Sequence, residues 1–72
     1  MKAEIRKEAD QVRANIRRIR TQKNLTGEAV AKKVGISRPF YTQLELGTRR
    51  MSLRYLFGIA HALDVKPETL FK

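Results

Sequence analysis

The chain has no cysteine and no tryptophan, and only one histidine, two prolines and four glycines in 72 residues. Without cysteine there is no disulfide framework, no thiolate zinc site and no thiol nucleophile. His61 alone cannot build a metal site without several carboxylates beside it, so no metal and no cofactor are expected. Acidic residues are also scarce, seven Asp+Glu, and they form no cluster suited to acid–base catalysis, so the chain is not expected to be an enzyme. No apolar run approaches the roughly 20 residues of a membrane span. No hydrophobic leader opens the chain, and a cytoplasmic location is the expectation. What remains is a basic, moderately apolar sequence. Sixteen Lys+Arg give a formal net charge of +9, and 42% of residues are hydrophobic. That hydrophobic share is too high for a disordered basic tail, and the length suits one small domain. The charge points to a polyanionic partner, nucleic acid before anionic membrane.

The charge is unevenly distributed. Residues 1–23 carry eight basic against three acidic residues, a net of +5, and residues 24–56 carry six against two, a net of +4. Residues 57–72 carry two of each, a net of zero. The first 56 residues are therefore expected to face the polyanion, which leaves the neutral end free to face protein.

Periodicity marks helices and no strands. Ile5, Ala9, Val12, Ile16 and Ile19 follow a four–three spacing on one helix face, and no Gly or Pro interrupts residues 2–23. Residues 11–23 suffice for the first helix of a domain, so residues 1–10 are expected to be an N-terminal helical extension and residues 11–72 the domain itself. Asn24 suits a left-handed cap, and Leu25 is expected to anchor the turn. Thr26 caps a second helix with Val30, Ala31 and Val34 inward, and Gly35 ends it. Ser37 opens a third helix ending before Gly47, with Tyr41 and Leu44 inward. Pro39 disfavours helical geometry at Arg38, so a start at Pro39 with Arg38 as cap is the alternative. Ser52 caps a fourth helix, with Leu53, Leu56, Phe57, Ala60 and Leu63 expected inward. Pro67 sits in the first turn of a short fifth helix, with Leu70 and Phe71 expected to pack back.

Residues 27–45, GEAVAKKVGISRPFYTQLE, read as two helices crossing at a small residue, Ala31. A positive-φ turn at Gly35 and an apolar corner plug at Ile36 follow. This is the helix-turn-helix pattern, whose second helix enters the DNA major groove. The segments IRRIRTQKNLT at 16–26, AVAKKVGISR at 29–38, QLELG at 43–47 and SL…IAHALDVKPETLF within 52–71 resemble the lambda-repressor-like, Cro-type (XRE) helix-turn-helix domain. The resemblance spans about residues 11–71. It implies an all-α, compact five-helix domain, here with an extended first helix, that binds operator DNA as a homodimer and regulates transcription. Three positions depart from the family pattern. Gly27 replaces a glutamine that reaches a phosphate, Tyr41 an aliphatic residue, and Pro39 lies in the first turn of the recognition helix.

On that resemblance, Arg38, Pro39, Thr42 and Gln43 are the candidate base-contacting residues. Arg can bond guanine bidentately and Gln adenine, whereas Pro39 offers only apolar contact. Thr26, Phe40, Thr48, Arg49 and Arg50 are candidates for phosphate or minor-groove contact, with packing against the second helix the competing role for Phe40. Arg17, Arg18, Lys32 and Lys33 are expected to be mostly solvated. The resemblance implies that Arg20 and Glu45 form a structural ion pair between the first and third helices. The dimer interface is expected at His61, Val65, Thr69 and Phe71, with the Ile5–Ala9–Val12 stripe as its rival. The partners are then double-stranded DNA and a second copy, with no membrane and no small-molecule ligand domain. The competing functions are an antitoxin or adaptor module bound mainly to protein, and a cationic membrane-surface protein.

Overall fold

The computed structural model describes residues 3–72. Met1 and Lys2, the first two residues of the expected extension, lie outside the described residues. The chain forms α1 (Ala3–Gln22), α2 (Gly27–Val34), α3 (Arg38–Leu46) and α4 (Leu53–Ala62), then a 3₁₀ segment (Pro67–Phe71). No strand occurs among the described residues. α2 packs on α3 and α4, and α1 packs on α3 and the 3₁₀ segment.

Local chemistry sets each boundary. The Thr26, Ser37 and Ser52 side chains accept hydrogen bonds from the backbone N–H groups of Ala29, Phe40 and Tyr55, capping α2, α3 and α4. Gly35 and Gly47 end α2 and α3 at φ 89° and 87°, a region costly to side-chain-bearing residues. Asn24 turns the chain at φ 57°, and the Leu25 N–H closes back on the Arg20 carbonyl at 3.0 Å.

Ile16, Val30, Tyr41, Leu44, Ile59, Leu63 and Leu70 are the largest fully buried side chains. Their core welds α3 to the rest of the domain. Asn15 is buried among them. Its side-chain N–H₂ donates to the Leu70 and Lys72 carbonyls at 2.9 and 2.8 Å, and its Oδ1 accepts from Gln11 at 3.1 Å. One polar side chain on α1 thereby fastens the far end of the chain.

The expected start of α3 at Ser37 holds, and the alternative start at Pro39 does not, because the Ser37 hydroxyl caps the first turn and Pro39 has no N–H to lose. Three expectations change. The fifth helix is a 3₁₀ segment. Within it Leu70 is buried but Phe71 is 60% exposed, since successive side chains diverge by about 120° at three residues per turn. On α4 the inward stripe is Leu56, Ile59, Ala60 and Leu63. Leu53 and Phe57 are rotated about 60–100° onto its flank and stand exposed.

Candidate nucleic-acid interface

α3 has one face held and one face open. The held face begins with Tyr41 and Leu44, both within the core. Beside them Arg20 on α1 and Glu45 on α3 meet, with Arg20 Nε 2.9 Å from Glu45 Oε2 and a second nitrogen 3.1 Å from Oε1. This is a bidentate fork, the strong geometry for a guanidinium and a carboxylate. Arg20 also donates to the Leu25 carbonyl at 2.9 Å, which ties the α1–α2 turn into the same cluster. The Tyr41 hydroxyl donates to Glu45 Oε2. Tyr41, the departure from the aliphatic pattern, therefore does polar work that its place on the apolar stripe does not announce. Arg17, expected to be solvated, approaches Glu45 at 3.9 Å and remains half exposed.

These contacts set the electrostatics. Burial pushes the Glu45 carboxyl upward, but the Arg20 hydrogen bonds and then the Tyr41 hydroxyl outweigh it, so the group sits below its ordinary value. Hydrogen bonding to Glu45 raises Arg20, and burial followed by the Glu45 bond raises the Tyr41 phenol. At neutral pH the cluster is an ionised pair with a neutral phenol.

The open face carries Arg38, Pro39 and Thr42, all exposed, and Gln43, half-buried. Arg38 and Thr42 share a shallow depression with Thr26, Gly27 and Leu46 at the α2–α3 junction. Leu46 extends the Arg38–Thr42 row by another four residues and is 63% exposed. It was not among the sequence candidates, although the i, i+4, i+8 spacing contains it. Thr26 uses its oxygen as the α2 cap. Gly27 leaves the depression open above Tyr41, whose ring lies 3.4 Å from where a Cβ would be.

Beyond α3 the chain reverses at Gly47, where the N–H groups of Gly47, Thr48 and Arg49 converge on the Gln43 carbonyl at 3.0–3.2 Å. The reversal folds Arg49 back over α3. Its Nε donates to Gln43 Oε1 at 2.9 Å, and its guanidinium carbon lies 4.4 Å from the Phe40 ring centroid. Phe40 in turn meets Tyr55 of α4 edge-to-face at 5.1 Å. Thr48 and Arg50 are exposed.

The expected interface residues fall in two places. Phe71 lines an apolar groove with Ile5, Ala9 and Val12, joining one expected surface to its rival. His61 lines a different depression with Lys33 and Asp64. Val65 and Thr69 are half-buried. Among the described residues no cluster of His, Cys, Asp or Glu is placed to hold a metal ion, and no helix is long and apolar enough to cross a membrane.

The profile of a helix-turn-helix family matches residues 16–70. The HTH-type transcriptional regulator YqaE of Bacillus subtilis is 43% identical over 58 residues, which are 81% of this chain and 50% of that protein. An HTH-type transcriptional regulator of Archaeoglobus fulgidus is 38% identical over 60 residues, covering 83% of this chain and 86% of the relative. The chain thus spans half the length of the Bacillus relative and most of the archaeal one. The crystal structure of the restriction-modification controller protein C.AhdI from Aeromonas hydrophila aligns with a TM-score of 0.80 at 34% identity, covering 85% of this chain and 92% of that one.

Proposed function

The chain belongs to the XRE-type helix-turn-helix family, and from that premise we propose that it is a sequence-specific DNA-binding transcriptional regulator. It acts as a repressor or controller, in the cytoplasm, on a pseudo-palindromic operator bound by a homodimer. One observation carries this reading. α3 is held on its inner face by Tyr41, Leu44 and the Arg20–Glu45 fork, while its outer face stands clear with Arg38, Pro39, Thr42 and Gln43. A rigid helix with a polar outer row on a basic domain is suited to the major groove. The likeness to C.AhdI, a restriction-modification controller, favours the controller role.

The site residues divide by reach. Arg38, Thr42 and Gln43 address base edges, and Pro39 and Leu46 offer apolar contact to thymine methyls. Arg50 and Thr48, on the loop beyond α3, contact backbone phosphates, and the Thr26 hydroxyl keeps its proton to donate to one. Phe40 contributes as the shelf beneath Arg49. The function needs no catalytic group and no cofactor. Two copies set half-sites about 10 bp apart, one helical turn. They meet through the neutral end of the chain, His61, Val65, Thr69 and Phe71, where Phe71 brings the extension's Ile5 and Ala9 to the same surface. In this lambda-repressor-like arrangement residues 3–10 are an added helical arm.

Titrating a labelled duplex across salt concentrations tests the reading. Each phosphate contact adds about −0.9 to the slope of log affinity against log salt. Wild type is expected to give a steep slope, and Arg50→Ala one that is shallower by about one contact, with similar losses on every sequence. A flat wild-type slope overturns the nucleic-acid reading.

A further inference from the structure

Gln43 and Arg49 are joined. Arg49 has no acceptor atom, so the Gln43 amide must turn its oxygen towards it, and the 2.9 Å contact from Nε fixes the amide plane. Arg49 is itself held from below by Phe40 at 4.4 Å, and Phe40 is braced by Tyr55. Gln43 is further fixed through its backbone carbonyl, on which three successive N–H groups converge. What the pair leaves unengaged is almost all of one kind. The Gln43 side-chain N–H₂ and the terminal guanidinium nitrogens of Arg49 make no hydrogen bond among the described residues.

That donor surface discriminates between purines. Adenine shows an acceptor, N7, beside a donor, the N6 amino group, and a glutamine matches it by offering oxygen and nitrogen together. Here one lone pair of the oxygen already accepts from a cation, and an adenine amino group brought to the other would come beside the Arg49 guanidinium, so donor would crowd donor. Guanine shows two acceptors, N7 and O6, which match one N–H of Gln43 and one of Arg49. We infer that Gln43 and Arg49 read one base pair as a unit, and that the base is guanine, not the adenine that an isolated glutamine would select. The inference rests on the proposed entry of α3 into the major groove. It makes Arg49 a specificity residue and not one more phosphate clamp.

Selection of bound duplexes from a randomised pool, followed by sequencing, tests it on wild type, Gln43→Ala, Arg49→Ala, Arg49→Lys and Arg50→Ala. The position that loses its preference in Gln43→Ala identifies the base under Gln43. Wild type is expected to enrich guanine there. Arg49→Ala is expected to lose about tenfold of that preference at the same position, and Arg49→Lys to lose it too, because lysine keeps the charge without the planar fork. Arg50→Ala is expected to weaken binding without changing any position. Adenine at the Gln43 position in wild type, or an unchanged preference there in Arg49→Ala, overturns the unit. A pool that enriches no motif, while duplex still binds with a steep salt slope, overturns sequence reading by α3 and the unit with it. A flat slope overturns DNA binding itself.

Discussion

Removing the Glu45 carboxylate is the most direct test of what holds the recognition helix. Glu45→Ala takes one acceptor from two donors at once. The Arg20 side chain is 17% exposed and that of Glu45 11%, and Tyr41 is 1% exposed, but all three line the open depression at the α2–α3 junction, so water enters the vacated site in part. Stranding one member of a fully buried ion pair costs about 3–5 kcal/mol. Partial exposure reduces that figure, and Arg20 keeps its bond to the Leu25 carbonyl. The orphaned Tyr41 hydroxyl adds about 1–3 kcal/mol if it finds no water. A net loss of about 2–4 kcal/mol follows. A domain of this length has roughly 4–11 kcal/mol in total, so the loss is a large fraction of the whole. At about 4–8 °C per kcal/mol, the melting temperature falls by roughly 8–32 °C. Thermal melts followed by circular dichroism at neutral pH measure it. The double variant Arg20→Met with Glu45→Leu is expected to recover the part of the loss that comes from the stranded charge, while the Tyr41 hydroxyl stays unpaired and the Leu25 carbonyl loses its donor. A Glu45→Ala melting temperature within about 3 °C of wild type would refute the argument, since it would mean that water or Arg17 satisfies the cluster without the carboxylate.

How far the sequence foretold this architecture depended on the range of the interaction. The caps at Thr26, Ser37 and Ser52 and the turns at Asn24, Gly35 and Gly47 are decided by groups within a few residues, and all were legible. Asn15 was not. It falls three residues after Val12 and four before Ile19, on the apolar stripe, but its partners are carbonyls 55 and 57 residues away. The i, i+4 spacing of Tyr41 and Glu45 was visible, yet the aromatic ring suggested core and hid the hydroxyl. Leu53 and Phe57 were misplaced because hydrophobicity alone cannot choose between two adjacent stripes of α4, and Ile59 completes the one that wins. The outer residues Arg38, Thr42 and Gln43 could be named from the family resemblance. The Gln43–Arg49 contact could not, because it exists only after Gly47 reverses the chain and Phe40 supplies a floor.

Two further predictions concern pH and the turns. The Glu45 carboxyl lies lower in the folded chain than its unfolded value of about 4.3, so the unfolded state binds more protons as pH falls through that range. Its contribution is therefore complete above about pH 4.3 and lost below it. Urea midpoints between pH 6 and pH 3 are expected to fall more steeply for wild type than for Glu45→Gln, and parallel curves would refute the assignment. The second prediction compares Gly35 and Gly47, whose φ values of 89° and 87° are nearly equal. Alanine at either site incurs about 1–2 kcal/mol for left-handed backbone. At Gly35 that is the whole cost, since a Cβ would meet nothing within 4 Å. At Gly47 a Cβ would lie 3.3 Å from Cζ and Nε of Arg13. The Arg13 side chain is 19% exposed and bonded to Asp10 at 3.1 Å, so displacing it adds about 1 kcal/mol. Gly47→Ala should therefore melt below Gly35→Ala, and Arg13→Ala should cost less in the Gly47→Ala background than in wild type. Equal melting temperatures for the two glycine variants would mean that Arg13 swings aside freely and does not brace the turn that presents Arg49.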